Sequence, residues 1–572
     1  MSADTSTPIF RSLLKGTELH LSRLQHEYEQ YGFNDWGRTG LYLLITVSLA
    51  HFISVAVYRL YLSPLAKIPG PKLAALTYLY EAYYEVYLGG QYFKRVAEMH
   101  KQYGPIIRVT PNEVHWNDPE FLDTVYPTTG RKTNKPVWFA KRTGTPYSIV
   151  STPDHDLHRR RRNALNSFFS VASIRRLDVV MKEYTQKMLA RMESVSKSTH
   201  PVLQFHHMFK ACASDVITIY AFGECFGFME LPDFGWSFFE STDEFFFLTH
   251  LFFLIPGLVQ VVQNAPGWLV KNLLPGLGEL RDRQDWWLNK VREIRSSPNP
   301  ERVKSTIFEG ILNSNLPPSE KEDHRLASEA QLVVFAGEGT TGKIFPRCFS
   351  LALFFRPQTN FPPKKAYSLT CALYHLLAHP DSLATLKDEL REAKLDPTQI
   401  PSIADVEALP YLSACIQEAV RLHPGVMARQ VRISPEVPIL YTDTKHNKGV
   451  QYVIPPQTVT SMSPLDTHMN EEAFEDAYEF KPERWLENPK LTRYFHGFAR
   501  GARNCVGMTL ARREMAIVLA SIFLKYDLYT GQSGPTLELY ETERGRDIDA
   551  NSDFIIPVPA KGSHGLRVKI RN

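Results

Sequence analysis

Between Arg38 and Arg59 the chain carries no Asp, Glu, Lys or Arg, and the run from Leu41 to Val57 is almost continuously apolar. About 20 residues is what a helix needs to cross the hydrocarbon core of a bilayer. The pattern therefore predicts a single membrane-spanning helix over residues 39–58, although Thr46, Ser48, His51 and Ser54 would also suit a buried core helix. The run starts too far into the chain for a cleaved leader, and no small-residue cleavage site follows it. Arg59, Lys67 and Lys72 follow the run closely, against Arg23 and Arg38 before it. That slight excess puts residues 1–38 on the lumenal side and the rest in the cytosol. Three prolines and a glycine between Ser63 and Pro71 cannot continue a helix, so residues 59–75 read as a stiff hinge.

Beyond the hinge, residues 76–572 form one body in which helical periodicity dominates. Tyr80 to Tyr87, Ile174 to Met192 and Leu383 to Ala393 show the spacing of amphipathic helices. Strand patterns are short, at Ile106–Thr110 and Gln451–Ile454. The expected fold class is mainly α with small β-sheets. Phe245 to Ile255 is unusually apolar and ends at Pro256. It suits ordinary core, and equally a surface that dips into a membrane or lines a route for an apolar ligand.

Composition narrows the function. Hydrophobic residues make up 44% and charged residues 22% of the 572, which excludes a disordered chain. The 65 basic and 61 acidic residues leave a net charge of +4, too small an excess for nucleic acid to be the main partner. The six cysteines show no paired spacing, which points to reduced, cytosol-facing thiols and not to a disulfide scaffold.

One cysteine stands apart. Phe498-Ala-Arg-Gly501-Ala-Arg503-Asn-Cys505-Val-Gly507 sets Cys505 between two glycines, with a cation two residues upstream and a helical pattern straight after. A thiolate is costly to bury unless it binds a metal or accepts hydrogen bonds. Glycines let backbone pass close to a flat cofactor and aim N–H groups at the sulfur. The stretch resembles the haem-ligand loop of the cytochrome P450 family, F-x-x-G-x-R-x-C-x-G, with each motif position matched. Glu418-Ala-Val-Arg421 is similar to the family's E-x-x-R, and Phe480-Lys-Pro-Glu-Arg484-Trp485 to its P-E-R-F/W segment. The resemblance covers nearly all of the chain beyond the anchor.

It implies the P450 fold and haem b, with Cys505 as axial ligand and Phe498, Gly501, Arg503 and Gly507 around the cofactor. It implies a structural triad of Glu418, Arg421 and Arg484, and propionate contacts from His158 and Arg162, in a W/H-x-x-x-R-like pattern, and from Arg432. Arg429 competes with Arg432 for the last role, because the loop cannot be registered from one sequence. Arg159, Arg160 and Arg161 would dock an electron donor. Thr340 would hydrogen-bond dioxygen and relay protons, and Phe335, Ala336, Val426 and Met427 would line an apolar substrate pocket.

Two departures stand out. The family's A/G-G-x-D/E-T-T reads Ala336-Gly-Glu338-Gly339-Thr340-Thr341 here, so the acid is missing at Gly339 and Glu338 lies one place early. One residue turns a helical side chain by about 100°, so either local unwinding brings Glu338 in or water replaces it. Then Gly342 to Tyr367 intervenes, with Pro346, Pro357, Pro362 and Pro363, where the family's helix runs on. Residues 343–367 read as an insertion, either a translated intron or a loop extruded from the helix; joining Gly342 to Ser368 would restore an ordinary helix.

The resemblance thus implies a single-pass enzyme of the endoplasmic reticulum membrane. NADPH electrons would arrive through a cytochrome P450 reductase, and an apolar secondary metabolite, terpenoid or polyketide, would be oxidised with dioxygen. In overall style the chain is similar to anchored fungal members of the trichodiene-oxygenase-like kind. The alternatives are a haem-binding membrane protein with little or no turnover, and an isomerising or dehydrating enzyme that needs no NADPH.

Overall fold

The computed structural model describes residues 33–338 and 367–572, apart from 142–143, 237, 240–248, 253, 256, 259–260, 262–263, 274 and 297–305. The chain divides into two compact units, one ending at Ala66 and the other spanning Lys67–Asn572.

In the first unit a helix runs over Phe33–Val57 and continues as a wider π turn, Tyr58–Leu62. It stops at Ser63, in extended conformation ahead of Pro64. It starts earlier than residue 39, because apolarity decides what suits a bilayer and not where backbone hydrogen bonding begins. Gly37–Leu62 is long and apolar enough to cross a membrane, and none of it is buried.

The second unit is built on packed helices. Phe205–Phe222 is buried along nearly its whole length and packs against Asp323–Glu338, Asp178–Ser196 and Tyr367–Ala378. The crossing with Asp323–Glu338 depends on Gly337, where a Cβ would fall 2.8 Å from the Ile217 side chain. Pro410–Leu422 packs on Tyr367–Ala378 and on Met508–Lys525, whose residues from Met515 to Phe523 are buried.

The sheets are small, as expected. One runs in the order Ile106–Thr110, Glu113–Trp116, Val459–Ser461, Arg432–Ile433, with only the central pair parallel. A second joins Val202–Gln204, Arg567–Arg571, Thr536–Leu539 and Asp527–Leu528. Two hairpins complete the strands, Ile439–Asp443 with Val450–Ile454 and Ser552–Phe554 with Ile556–Val558.

Local chemistry moved some boundaries. The helix expected over Ile174–Met192 is two: Val171–Arg175, capped by the Ser170 hydroxyl accepting from the Ser173 amide, and Asp178–Ser196. Tyr80–Tyr87 is an α turn that widens into a π turn at Tyr83. Of the apolar run at 245–255, residues 245–248 and 253 lie outside the described residues, while Thr249, His250 and Phe252 are buried. The five described cysteines are free thiols, and Cys348 lies outside the described residues.

Candidate functional site

The Cys505 loop is closed by its own backbone. The Cys505 amide donates to the Phe498 carbonyl at 2.8 Å, Gly501–Arg503 forms a 3-10 turn, and Met508–Lys525 begins two residues after Val506. Gly501 has φ +74°, and a Cβ there would lie 2.4 Å from the Tyr126 carbonyl oxygen. Gly501→Ala therefore meets both backbone strain and a backbone clash, and is expected to destabilise the fold by about 1–3 kcal/mol. Denaturant unfolding measures this; an unchanged midpoint would show that the loop relaxes. At Gly507 the nearest atom to a Cβ among the described residues is 3.9 Å away, so none of them demands glycine there.

The Cys505 thiol sits deep in the fold yet is not covered by protein. Burial raises its pKa, while the Gly507 amide and Arg162 pull it down. Arg162, from the helix His155–Asn166, donates to the Asn504 carbonyl and side-chain oxygen, next to the cysteine.

A group of cations gathers beside this loop. His158 is buried on the same helix and faces Arg503, Lys135, Arg162 and Arg432. Burial and these four charges push its pKa down to about 2. Arg503 donates to the carbonyls of Thr152, Pro153 and Asp154 at 2.7–3.1 Å, and its own pKa falls to about 9 through burial and Arg432. Arg432 is buried, lies over the Tyr126 ring at 5.1 Å, and its pKa is lowered by burial. Neither Arg162, Arg432 nor Arg503 forms an ion pair with a carboxylate among the described residues. Buried positive charge in excess is costly without an anion. Haem carries two carboxylates, so the residues present fit it.

Arg429 is engaged elsewhere. It pairs with Glu81 and, at 2.9 Å, with Glu113, and stacks over Tyr92 at 4.9 Å.

Glu418, Arg421 and Arg484 come together as the motifs suggest. Arg421 grips Glu418 through two hydrogen bonds of 2.8 Å, and Arg484 Nε donates to Glu418 Oε1 at 3.1 Å. Sequence reasoning missed a fourth member: the Trp485 indole donates to Glu418 Oε2 at 2.9 Å. Its signal was its place directly after Arg484. Tyr126 and Lys135 were also missed, and no local motif marks them.

Gly339, Thr340 and Thr341, and the side chain of Glu338, lie outside the described residues. Phe335 is half-buried and its ring stands nearly perpendicular to that of Trp287, centroids 6.5 Å apart, and Ala336 is exposed. Met427 is buried and its amide donates to the Ile555 carbonyl, whereas Val426 is 40% exposed. Arg159 and Arg160 are exposed. Arg161 corrects the expectation of a three-residue docking face. Its guanidinium is bound to Glu320 by two hydrogen bonds, at 2.6 and 3.0 Å, and to Thr152, so it serves the fold.

A mainly helical body with small sheets and a cysteine loop beside buried cations is the architecture of a haem-thiolate protein. The cytochrome P450 family model matches residues 69–342 and 365–544, and the chain belongs to that family of monooxygenases. The family implies haem with a cysteine thiolate ligand. The match leaves out 343–364, within the stretch read as an insertion. Among similar proteins, the cytochrome P450 monooxygenase tpcC of Cochliobolus heterostrophus is 36% identical, covering 92% of this chain and 96% of its own. A fusicoccadiene C-8 hydroxylase of Phomopsis amygdali is 35% identical, covering 91% and 94%. A tryptophan 6-hydroxylase of Fusarium equiseti is 35% identical, covering 92% and 96%. These names are of monooxygenases and hydroxylases, which does not favour a haem protein without turnover.

Proposed function

We propose that the chain is a membrane-anchored monooxygenase that hydroxylates or otherwise oxidises an apolar secondary-metabolite intermediate, terpenoid or polyketide. Electrons come from NADPH through a reductase, and the anchored body faces the cytosol from the endoplasmic reticulum. The observation that carries the reading is the cluster of His158, Arg162, Arg432 and Arg503 beside Cys505, without carboxylate partners among the described residues. Cys505 would hold the haem iron through its thiolate, and the cluster would hold the propionates. When bound, haem supplies the activation of dioxygen, with the thiolate favouring O–O cleavage.

The chain's own residues do the rest. Thr340 holds a proton at its hydroxyl for delivery to the oxygen side, and Glu338 or water refills it. Phe335, Ala336 and Met427 orient an apolar body and exclude water. Exposed Arg159 and Arg160 meet the reductase by charge. The substrate class is supported by the relative named for fusicoccadiene hydroxylation.

The test is the reduced, carbon-monoxide difference spectrum of the full chain, followed by NADPH- and reductase-dependent turnover of terpenoid and polyketide panels. A thiolate-type Soret band with NADPH-dependent product supports the reading. A thiol-type band, or turnover without NADPH, overturns it. Arg432→Gln removes one charged donor to the propionates, worth about 1.5–3 kcal/mol. Haem transfer to an excess of an apo-globin is then expected to quicken by about ten- to hundredfold.

A further inference from the structure

A chain of buried polar groups links the helix Tyr92–Tyr103, the strand Glu113–Trp116 and the short helix Pro464–His468. His100 places Nδ1 2.8 Å from the Gly104 carbonyl and Nε2 2.7 Å from His115 Nδ1. His115 in turn places Nε2 3.0 Å from the Ser463 hydroxyl and 3.8 Å from Asp466 Oδ2. Both imidazoles and Ser463 are buried. Ser463 stands directly before the helix Pro464–His468, yet its hydroxyl makes no capping bond there.

The carbonyl at one end fixes the direction of the chain. It can only accept, so His100 Nδ1 carries a hydrogen. Burial keeps both rings neutral, with the pKa of His100 held down to about 4 and that of His115 well below its usual range. In a neutral imidazole the second nitrogen accepts. His115 Nδ1 therefore donates to His100, and His115 Nε2 accepts from the Ser463 hydroxyl.

Asp466 competes for that same hydrogen. Its side chain is 8% exposed, and Oδ2 meets no hydrogen-bond donor among the described residues. The Ser463 side chain also bears on this carboxyl, as a donor that favours the ionised form. Arg429 favours it too, but is itself held by Glu81 and Glu113. On the helix Pro410–Leu422, which packs against Pro464–His468, Glu418 and Arg421 are bound to each other. His468, on the short helix, and His496 are held neutral by burial. Burial prevails over the two groups that favour ionisation and pushes the Asp466 pKa up to about 7. One hydroxyl hydrogen cannot serve both His115 and an ionised Asp466.

We propose that the Ser463 hydroxyl is a two-position latch set by the proton on Asp466. With Asp466 neutral, the acid donates to Ser463 Oγ, the hydroxyl donates to His115, and the chain is closed. When Asp466 gives its proton to water, the hydroxyl turns to the carboxylate and His115 loses its donor. The sheet and the short helix then part company at this point. The latch lies one residue from Met462, whose amide donates to the Tyr126 hydroxyl, and the Tyr126 ring carries Arg432. Mild alkali therefore loosens the packing beneath the cation cluster.

The test uses the full chain in neutral detergent. Infrared difference spectra are taken from about pH 5 to about pH 9, beside those of Asp466→Asn, whose amide keeps the neutral arrangement. The parent chain is expected to lose, at about pH 7, a protonated-carboxyl band that the variant lacks. Ser463→Ala removes the donor to the carboxylate, so this titration should move up by about 0.5–1 unit. Thermal midpoints give a second readout. An unfolded Asp titrates at about 3.9, so the parent should lose stability relative to Asp466→Asn as pH rises from about 4 to about 7, and no further above that. His100 and His115 titrate alike in both chains and cancel. Identical spectra for the parent and Asp466→Asn overturn the proposal, as does a titration that Ser463→Ala leaves in place. Should Asp466→Asn fail to fold, the Ser463→Ala shift decides alone.

Discussion

Arg421→Ala is expected to yield a chain that retains no haem and is recovered mainly as aggregate. Arg421 and Glu418 are completely buried and joined by two hydrogen bonds. The same guanidinium donates to the carbonyls of His468, Ala477 and Glu479 at 2.6–3.0 Å. Removing one partner of a buried ion pair costs about 3–5 kcal/mol, because the other charge stays buried. Each carbonyl left without its donor adds about 1–3 kcal/mol. The total reaches the whole net stability of an ordinary protein, about 5–15 kcal/mol. Arg484 and Trp485 still contact Glu418, but neither reaches the three carbonyls by any described bond. The damage also runs to the cysteine loop. His468 Nδ1 contacts the Arg421 carbonyl, its Nε2 accepts from the His496 amide at 3.0 Å, and its ring stacks on Phe495 at 5.3 Å. Soluble yield, and haem per chain from the carbon-monoxide band, measure the effect. A soluble variant with ordinary haem content would mean that the segment 468–479 is held by its own packing.

What the sequence made legible was chemistry concentrated in short stretches. The Cys505 loop, the pairing of Glu418 with Arg421, and the apolar run before Arg59 each hold their evidence within about 20 residues, the reach over which helical spacing and turn residues are informative. The choice between Arg429 and Arg432 was open because it turns on residues far away. Arg429 is held by Glu81 and Glu113, which lie 348 and 316 residues earlier in the chain. Arg161 misled for the same reason: a run of four arginines looks like a solvated face until Glu320, 159 residues on, takes one of them. The break at Arg176–Leu177 escaped notice because Ser170 begins a short helix of its own, and apolar periodicity does not register a cap.

Excision of residues 343–367, joining Gly342 to Ser368, is expected to raise NADPH-dependent turnover by about 10²–10⁴-fold. That is the span of a positioned proton-transferring group. Asp323–Glu338 precedes the excised residues and Tyr367–Ala378 follows, sharing only Tyr367 with them, and both pack against Phe205–Phe222. The family match stops at 342 and resumes at 365, so the unmatched stretch begins three residues after Thr340. Four prolines lie within the excised residues, at 346, 357, 362 and 363, and a helix interior tolerates proline poorly. On the proposed reading, a threonine that holds a proton for the reaction needs its backbone held in place. Haem content is expected to change little, since Cys505 and the His158–Arg503 cluster lie on other elements. Product per haem in the two chains decides the matter, with the transcript sequenced across Thr341–Ser368 beside it. Equal turnover would establish the insertion as a true loop that leaves Thr340 in place. A hundredfold gain together with a spliced transcript would show that the active enzyme is the shorter chain.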